Sequence, residues 1–592
     1  MLLAATVTGW SQQPPNVVLI VVDDLTVRLP THGYVDGRTP NLLRLAARGV
    51  NFRRAYAQYP YCGPSRASMI TGLYPWRIGI SATSWTSIPE DILPSHLMLP
   101  QYFGQHGYRT VRIGKIEHPY SGENSWHTSI AKSAKPDDHG PPIDNISYPN
   151  PRNTAATIVR TWDLPDEEFG DGQVARDAVR ELGNLAATGS PFFVGIGLSA
   201  HTPWKLPRDL WLTFDPDDIT LPVEPPESYE SWWNLLYRHD PGLPLPDEAN
   251  RRGALAGYDA AIHFMDRNLG TILDALDENE LWDNTVVVFT SDHGIALGEH
   301  LYWWSKGIIT NEVLQIPLII AAPGYTQGQE CWSTAQLVDI YKTLVDVCGL
   351  PEWNGRISLD GRSLKAGLVD PLALPEAPGF SVTVSQQWKQ PSPRRPNARV
   401  VHYDGWKLVE RGIHTTGEIK DRFMFNHNVD PEEYFVIGDP GKAEELLAHF
   451  PPESAVHLKS YIGFDRLTVQ PDGSVILGTD AELPIDRDGD GMSDEIELSL
   501  AALGLDYLTP QPDLAYLLSP FVSDIEEVPV VLPAGPRLRI RVLESTDLRN
   551  WYPTTREAHN MGFGEIHLPP RLVPPDAAFF RAEVDVVVGG GE

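Results

Sequence analysis

Three unbroken apolar runs constrain the fold of this chain more than any other feature of its sequence. They occupy residues 16–22, 191–197 and 286–290, and each is too short for a typical helix. Such runs are typical of strands buried on both faces of a sheet. Helical patterns lie between them, for example at residues 40–48 and 258–276. Alternating strands and helices predict an α/β fold with helices on both faces of the sheet.

Acidic and histidine residues follow these runs. Asp23 and Asp24 end the first run, Asp292 and His293 come directly after the third, and His201 follows the second. In α/β sheets, ligands gather beyond the carboxyl ends of the strands. Neighbouring carboxylates repel one another, and a hard divalent cation relieves that repulsion. Oxygen ligands favour calcium or magnesium over zinc, so we predict such a site here, with His293 as a further ligand.

The alternative for a single aspartate at a strand end is a helix N-cap, which would be the ordinary reading of Asp24 alone. The metal prediction therefore depends on two strands that end in the same way.

Composition restricts the classes of partner. A formal net charge of −31 argues against nucleic acid, because phosphate binding needs a basic surface. It does not exclude a polyanionic substrate, since a local basic pocket can lie within an acidic exterior. No apolar run reaches the length of a membrane span. Cys331 and Cys348 either form a disulfide or remain two structural thiols, and the sequence does not decide between them.

The 592 residues exceed a single hydrophobic core, so we expect several domains. Residues 14–370 are predicted as the main α/β domain, residues 371–460 as a smaller α+β subdomain, and residues 461–592 as an accessory region. Residues 1–13 are either the remainder of a signal peptide or an ordinary terminus, because they lack the basic start of a complete signal. We favour export, to the periplasm or the medium.

The accessory region contains an acidic segment at residues 486–497 that fits the calcium-loop pattern D-x-D-x-D-G-x5-E. Its candidate ligands are Asp486, Asp488, Asp490, Asp494 and Glu497. The alternative is a solvated acidic loop. We predict a second, structural calcium ion here, followed at residues 528–592 by short strands that suggest a small β-sandwich.

The segment Cys62-Gly-Pro-Ser-Arg66-Ala contains one of only three cysteines in the chain. If a helix begins near Pro64, Arg66 faces back toward Cys62, and the helix N-terminus adds anion affinity. An isolated cysteine is most often a small buried hydrophobe. Here, however, Cys-x-Pro-Ser-Arg followed by Thr71-Gly72 resembles the signature of the type I sulfatases.

Further segments resemble the iduronate-2-sulfatase-like members of that family, which belongs to the alkaline phosphatase superfamily. They lie at residues 99–119, 201–204 and 291–306, and the similarity runs in order from about residue 16 to residue 440. The chain departs from the family at Gln315, where an arginine is usual. The resemblance implies an alkaline-phosphatase-like mixed sheet sandwiched by helices.

The resemblance also implies site chemistry. A maturation enzyme would oxidise Cys62 to formylglycine, whose hydrate attacks sulfur and later expels sulfate as the aldehyde is restored. The implied ligands of a catalytic calcium ion are Asp23, Asp24, Asp292, His293 and the modified Cys62.

The remaining site residues are implied in the same way. Arg66 and Lys115 would hold formylglycine and sulfate, and His118 would stabilise or deprotonate the hydrated aldehyde. His201 and Lys306 would contact sulfate, and one of them would protonate the leaving alcohol, a task suited to histidine.

The sequence therefore predicts a sulfatase acting on sulfated oligo- or polysaccharide. A phosphonate or phosphodiester hydrolase of the same superfamily is the enzymatic alternative. A catalytically silent glycan-binding protein is the non-enzymatic one, and it would have at least one broken ligand position. No such break occurs in the motifs.

Overall fold

The computed structural model describes residues 14–34, 38–78, 96–117, 125–148, 157–222, 246–299 and 303–383, and most of 397–451. Within the last range it omits residues 413–418, 432, 434 and 435. Elsewhere it describes isolated strands only.

An eight-stranded sheet forms the centre of the described structure. Its strands are β1 (Asn16–Asp23), β2 (Val50–Phe52), β3 (Arg109–Gly114), β4 (Thr128–Ile130), β5 (Phe192–Ser199), β6 (Thr285–Ser291), β7 (Leu318–Ala321) and β8 (Gln329–Cys331). Their order is β8-β2-β7-β6-β1-β5-β3-β4. Only β7 runs antiparallel to its neighbours, so the sheet is mixed, as predicted.

The three predicted apolar runs are the central strands β5, β1 and β6. Each pairs in parallel with its neighbour, and the register places Asp23 beside Ser199 and Val22 beside Ser291. The carboxyl ends of these strands therefore meet at one edge, where the acidic residues follow.

Helices cover both faces of the sheet. The longer helices of the described structure are α1 (Pro40–Ala46), α2 (Cys62–Thr71), α3 (Leu99–Gln105), α4 (Gly170–Ala186), α5 (Glu248–Glu278), α6 (Asp339–Val347) and α7 (Pro440–Leu447). Four short helices are Pro75–Ile78, Arg208–Trp211, Asn311–Leu314 and Lys365–Val369.

Side chains of β1 alternate between two hydrophobic cores. Val18, Ile20 and Val22 belong to the core that contains residues of α4 and α5. Val17, Leu19 and Val21 belong to the core that contains residues of α2, α3 and α6. Because successive strand residues point to opposite faces, a continuous apolar strand requires cover on both sides.

The described residues also form smaller sheets. A four-stranded sheet contains Gly379–Thr383, Asn397–Tyr403, Trp406–Gly412 and Ile419–Asn426. Two three-stranded sheets contain Ala55–Tyr56, Gln315–Ile316 and Ala335–Gln336, and Asp144–Tyr148, Thr157–Trp162 and Trp204–Pro207. Two hairpins pair Ala296–Leu297 with Trp303–Ser305 and Gln386–Gln387 with Gln390–Pro391.

One predicted strand is divided in the structure. Residues 314–320 look like a single buried run, but they form Gln315–Ile316 in a three-stranded sheet and β7 in the main sheet. The break falls at Pro317, which has no amide hydrogen for a sheet ladder.

The chain divides into two compact units. The first comprises residues 1–383, 399–409 and 422–450, and the second comprises residues 384–398, 410–421 and 451–592. Strands of the second unit include Leu467–Val469, Val475–Leu477, Val530–Val531, Arg537–Ser545, Tyr552–His559, Glu565–Ile566 and Phe579–Val587. The calcium loop predicted at residues 486–497 lies outside the described residues. The domain boundaries and the β-sandwich stay predictions.

Two further findings concern sequence expectations. Cys331 and Cys348 are both buried and unpaired, which favours the structural-thiol alternative. Within the described part of the chain, no helix combines the length and apolar content needed to cross a bilayer.

Candidate active site

Asp24 and Asp292 connect the ends of β1 and β6. The amide of Asp24 donates to Asp292 Oδ1 at 3.1 Å, and the amide of His293 donates to the same oxygen at 3.0 Å. Asp24 has a φ of 61°, a left-handed conformation that aspartate tolerates better than most residues. Tyr258 of α5 holds this turn, because its hydroxyl donates to the Asp24 carbonyl at 2.8 Å. Sequence reasoning did not identify Tyr258.

Cys62 is the first residue of α2 and is buried against two site residues. Its Sγ lies 3.1 Å from Lys306 Nζ and 3.3 Å from His293 Nε2. Burial raises the pKa of the Cys62 thiol far above its ordinary value, although Lys306 opposes the shift. The unmodified side chain is therefore a neutral thiol, which is a weak nucleophile.

Arg66 lies within α2 and is completely buried. Its Nε donates to Asp292 Oδ2 at 2.8 Å, and its Nη2 donates to Asp23 Oδ1 at 3.2 Å. Its Nη1 donates to the carbonyls of Lys115 and Ile116 at 2.6 and 3.0 Å. Arg66 thus neutralises two carboxylates and fixes the turn after β3.

That turn carries Lys115 and lies directly on β5. A Cβ atom on Gly197 would fall 2.2 Å from the Lys115 carbonyl oxygen, and one on Gly195 would meet the Trp126 ring at 2.7 Å. Gly114 begins the turn with a φ of 74°, which favours glycine. The glycines in this part of β5 and β3 therefore allow Lys115 to approach the sheet.

Lys115 extends from this turn to Asp23. Its Nζ donates to both carboxylate oxygens, at 2.7 and 2.8 Å. Burial would raise the pKa of Asp23, but Lys115, Arg66 and Lys306 together hold that pKa well below its ordinary value. Asp23 is therefore ionised at neutral pH.

Glu117 provides a second support for the Lys115 turn, which the sequence did not reveal. This buried carboxylate accepts hydrogen bonds from Trp126 Nε1 and, at 3.2 Å, from Arg112 Nη1. Trp126 and Trp204 are both buried. Trp204 Nε1 donates to the Ala200 carbonyl at 2.7 Å.

Lys306 and His201 lie on different oxygens of the Asp24 carboxylate. Lys306 Nζ donates to Asp24 Oδ1 at 2.8 Å, and His201 Nε2 lies 3.6 Å from Asp24 Oδ2. Burial would raise the pKa of Asp24, but Lys306, His201 and His293 lower it below the ordinary value. Lys306 is largely buried, whereas the His201 side chain is 40% exposed.

The donor set fits a hard divalent cation. Potential ligand atoms of Asp24, Cys62 and His293 lie within 4.8 Å of one another, and so do those of Asp23, Cys62 and Asp292. Burial lowers the pKa of His293 despite the neighbouring carboxylates, so its imidazole is neutral and able to ligate. Three carboxylates and an imidazole suit calcium or magnesium.

The structure brings together most of the residues predicted for the catalytic site, namely Asp23, Asp24, Cys62, Arg66, Lys115, His201, Asp292, His293 and Lys306. His118 lies outside the described residues. The roles of all these residues stay predictions.

Comparison with known proteins agrees with this geometry. The sulfatase family model matches residues 15–350. Human iduronate 2-sulfatase is 27% identical over 510 residues, which cover 72% of this chain and 90% of that protein.

Solved structures share the fold. A phosphonate monoester hydrolase from Silicibacter pomeroyi matches 78% of this chain and 98% of its own, with a TM-score of 0.60 and 21% identity. A protein in complex with its substrate D-glucosamine-2-N,6-O-disulfate matches 74% of this chain and 96% of its own, with a TM-score of 0.56 and 20% identity. The family match covers more than half of the chain, which is therefore an iduronate-2-sulfatase-like member of the sulfatase family and a sulfuric ester hydrolase.

Proposed function

We propose that this chain removes sulfate from sulfated carbohydrate, using a formylglycine made from Cys62 and a calcium ion. One observation carries the proposal: the Cys62 side chain lies at the amino end of α2, within 3.3 Å of both Lys306 Nζ and His293 Nε2. A cysteine with only a packing role would not be expected among so many buried charges.

The metal would be held by the carboxylates of Asp23, Asp24 and Asp292 and by the imidazole of His293. When bound, calcium supplies positive charge that polarises sulfate oxygens and stabilises an oxyanion. Arg66 keeps Asp23 and Asp292 oriented through its hydrogen bonds. Because Arg66 is buried, we assign it to holding these two carboxylates in place and to balancing the charge of the site.

Formylglycine at position 62 supplies, after hydration, the oxygen nucleophile that the thiol does not provide. The helix start at Cys62 directs backbone amides toward the bound anion. The residue before the helix, Tyr61, has extended backbone, so α2 begins sharply at the site. Because Cys62 must be converted to formylglycine, the proposal requires a maturation enzyme as a partner.

Lys306 and His201, which lie on different oxygens of Asp24, differ in exposure, which suggests different tasks. Lys306 is buried and its Nζ contacts Sγ, so we assign it to bind a sulfate oxygen and the nucleophile. His201 is more exposed and lies on the other oxygen of Asp24, so we assign it as the proton donor to the leaving alcohol. Lys115 would contribute positive charge to the sulfate, and His118 would act on the hydrated aldehyde.

The substrate class rests on two kinds of support. Relatives include human iduronate 2-sulfatase, and one structural neighbour was solved with a disulfated glucosamine. Lys115, Lys306 and Arg66 balance the charge of Asp23, Asp24 and Asp292, so a bound divalent cation would leave the site net positive and suited to a sulfated sugar. Export to the periplasm or the medium and the second calcium ion at residues 486–497 stay predictions.

The test is sulfate release from a panel of sulfated oligosaccharides by protein co-expressed with a formylglycine-generating enzyme. We expect turnover of at least one sugar sulfate, loss of activity with a calcium chelator, and recovery on adding calcium. Preferential hydrolysis of a phosphonate monoester would instead favour the superfamily alternative. Absence of turnover of any ester, with the aldehyde present, would favour a silent binding protein.

A further inference from the structure

A second cluster of buried charge lies in the same unit and is not explained by the proposed mechanism. Lys407 Nζ donates to Glu433 Oε1 at 2.6 Å, and His427 Nε2 lies 2.7 Å from the same oxygen. The side chains of Lys407 and Glu433 are 1% and 2% exposed. Ionic groups this deeply buried cost free energy unless their partners are well placed.

This cluster reaches the segment that carries Lys306. Lys407 Nζ also donates to the carbonyl of Ile309, three residues after Lys306. Asn311 Nδ2 donates to the Pro431 carbonyl at 3.2 Å and to Gln315 Oε1 at 2.9 Å. Two side-chain hydrogen bonds therefore join residues 309–311 to the strands and turns around Glu433.

The beginning of the segment that carries Lys306 is held in place by the residues that precede Cys62. The amide of Gly307 donates to the Pro60 carbonyl at 2.9 Å. A Cβ on Gly307 would fall 2.3 Å from the Tyr61 hydroxyl, so this residue packs closely against the residue that precedes Cys62. Residues 306–311 thus extend between the start of α2 and the Lys407 cluster.

We infer that Lys407, with Glu433 and His427, positions Lys306 beside residue 62. Lys407 holds the far end of the segment through the Ile309 carbonyl, and Glu433 accepts a hydrogen bond from the same Nζ. Burial alone would raise the pKa of Glu433, but Lys407 and His427 lower it to about 2. The His402 imidazole, in the same region, is neutral because burial, Lys407 and His427 strongly lower its pKa.

The inference rests on the proposed function, since it assigns Lys407 an effect on catalysis through Lys306. A displacement of about 1 Å in a catalytic group can cost about 100-fold in rate. We therefore expect loss of the Ile309 hydrogen bond to lower kcat about 10- to 100-fold, with a smaller change in KM. Lys407 itself is a positioning residue and touches neither substrate nor metal in this account.

The experiment uses Lys407→Met/Glu433→Leu, which removes both charges and leaves neither unpaired in the interior. Kinetics are measured for this variant, for Lys306→Met and for the triple variant, with Lys135→Met, at a solvent-exposed lysine, as the control. If Lys407 acts through Lys306, the triple variant is no slower than Lys306→Met. A folded charge-free variant with the parental kcat, or losses that multiply in the triple variant, would overturn the inference.

Amide hydrogen exchange provides a readout that does not depend on turnover. We expect a peptide containing residues 303–314 to exchange at least about tenfold faster in the charge-free variant, because local opening becomes easier. Unchanged protection there would overturn the inference even if the parent enzyme proved inactive. An inactive parent with faster exchange in the variant would instead count against the proposed function alone.

Discussion

Two clusters of buried charge occur in one compact unit of this protein, and they use charge differently. Around Cys62, Asp23, Asp24 and Asp292 face lysine and arginine side chains, and Lys306 also touches the thiol. Around Glu433, Lys407 and His427 share one carboxylate oxygen, and the remaining described bond goes to a backbone carbonyl.

This difference distinguishes a cluster that can bind a ligand from a cluster that only supports the structure. In the Cys62 cluster the ion pairs involve potential metal ligands, so a bound cation or anion can replace part of the pairing. In the Glu433 cluster, the charged groups bond to one another and to a backbone carbonyl. Mutations should therefore reduce turnover far more than stability in the first cluster, and should reduce stability as well in the second.

The largest expected effect is that of Cys62→Ala. Removal of a catalytic nucleophile costs about 10⁴-fold or more, so we expect sulfate release to fall to background. The thermal unfolding temperature should change little, because only the atoms beyond Cβ of residue 62 are removed. Cys348→Ala, at another buried cysteine, is the matched control and should retain the parental rate. Sulfate release by Cys62→Ala above background would contradict the catalytic assignment of the Cys62 cluster.

Asp292→Asn should have the next largest effect. Asp292 Oδ2 accepts from Arg66 Nε at 2.8 Å, so an amide nitrogen in that position would bring two donors together. We expect calcium affinity and kcat each to fall at least about 100-fold. Calcium titration by calorimetry, together with sulfate release, checks this result. Asp274→Asn, at an exposed carboxylate, should change neither, and equal effects of the two variants would contradict the account.

Glu433→Gln should alter the pH dependence of stability. The ordinary pKa of 4.5 is lowered to about 2 in the folded state. Stability from this group is therefore present above pH 4.5 and is lost as pH falls toward 2. The shift corresponds to about 3 kcal/mol at neutral pH.

The free energy of unfolding by urea, measured between pH 2 and 7, tests this expectation. The parent should lose more stability than Glu433→Gln as pH falls from 4.5 to 2. Parallel curves for the two proteins would show that Glu433 makes no such contribution. Glu445→Gln, at an exposed partner of Lys442, provides the control.

Gly197→Ala should have the smallest of these effects on stability. Its Cβ would fall 2.2 to 2.5 Å from backbone atoms of Lys115, so the turn or β5 must shift. We expect a loss of about 1–3 kcal/mol, as for other overpacked positions. Gly183→Ala, in α4, would add a Cβ at an ordinary contact distance of 3.7 Å from Asn279 Oδ1, and should instead be neutral or stabilising by up to about 1 kcal/mol. Chemical denaturation of both variants distinguishes these outcomes.

Much of the site could be predicted because its residues follow recognisable strands. The buried runs before Asp23 and Asp292 predict both strands and the edge where they meet, and the parallel register confirms that arrangement. The cysteine motif predicted that Arg66 lies one helical turn from Cys62. The sequence could not show that every nitrogen of Arg66 donates to other parts of the protein, because those partners come from distant segments.

The supporting residues were not predictable for the same reason. Tyr258 reaches Asp24 from the middle of a 31-residue helix, and Glu117 is fixed by Arg112 and Trp126. Neither contact leaves a periodic pattern in the sequence. The division of residues 314–320 at Pro317 had a visible local signal, but which sheet each half joins depends on long-range pairing.

The most direct test measures the aldehyde content of position 62 and the rate of sulfate release in the same samples. Preparations made with different amounts of maturation enzyme supply a range of conversion, read from the mass of the peptide that contains Cys62. We predict that the rate rises in proportion to the aldehyde fraction and extrapolates to zero for the unmodified thiol. Full turnover by protein that retains an unmodified Cys62 would contradict the account.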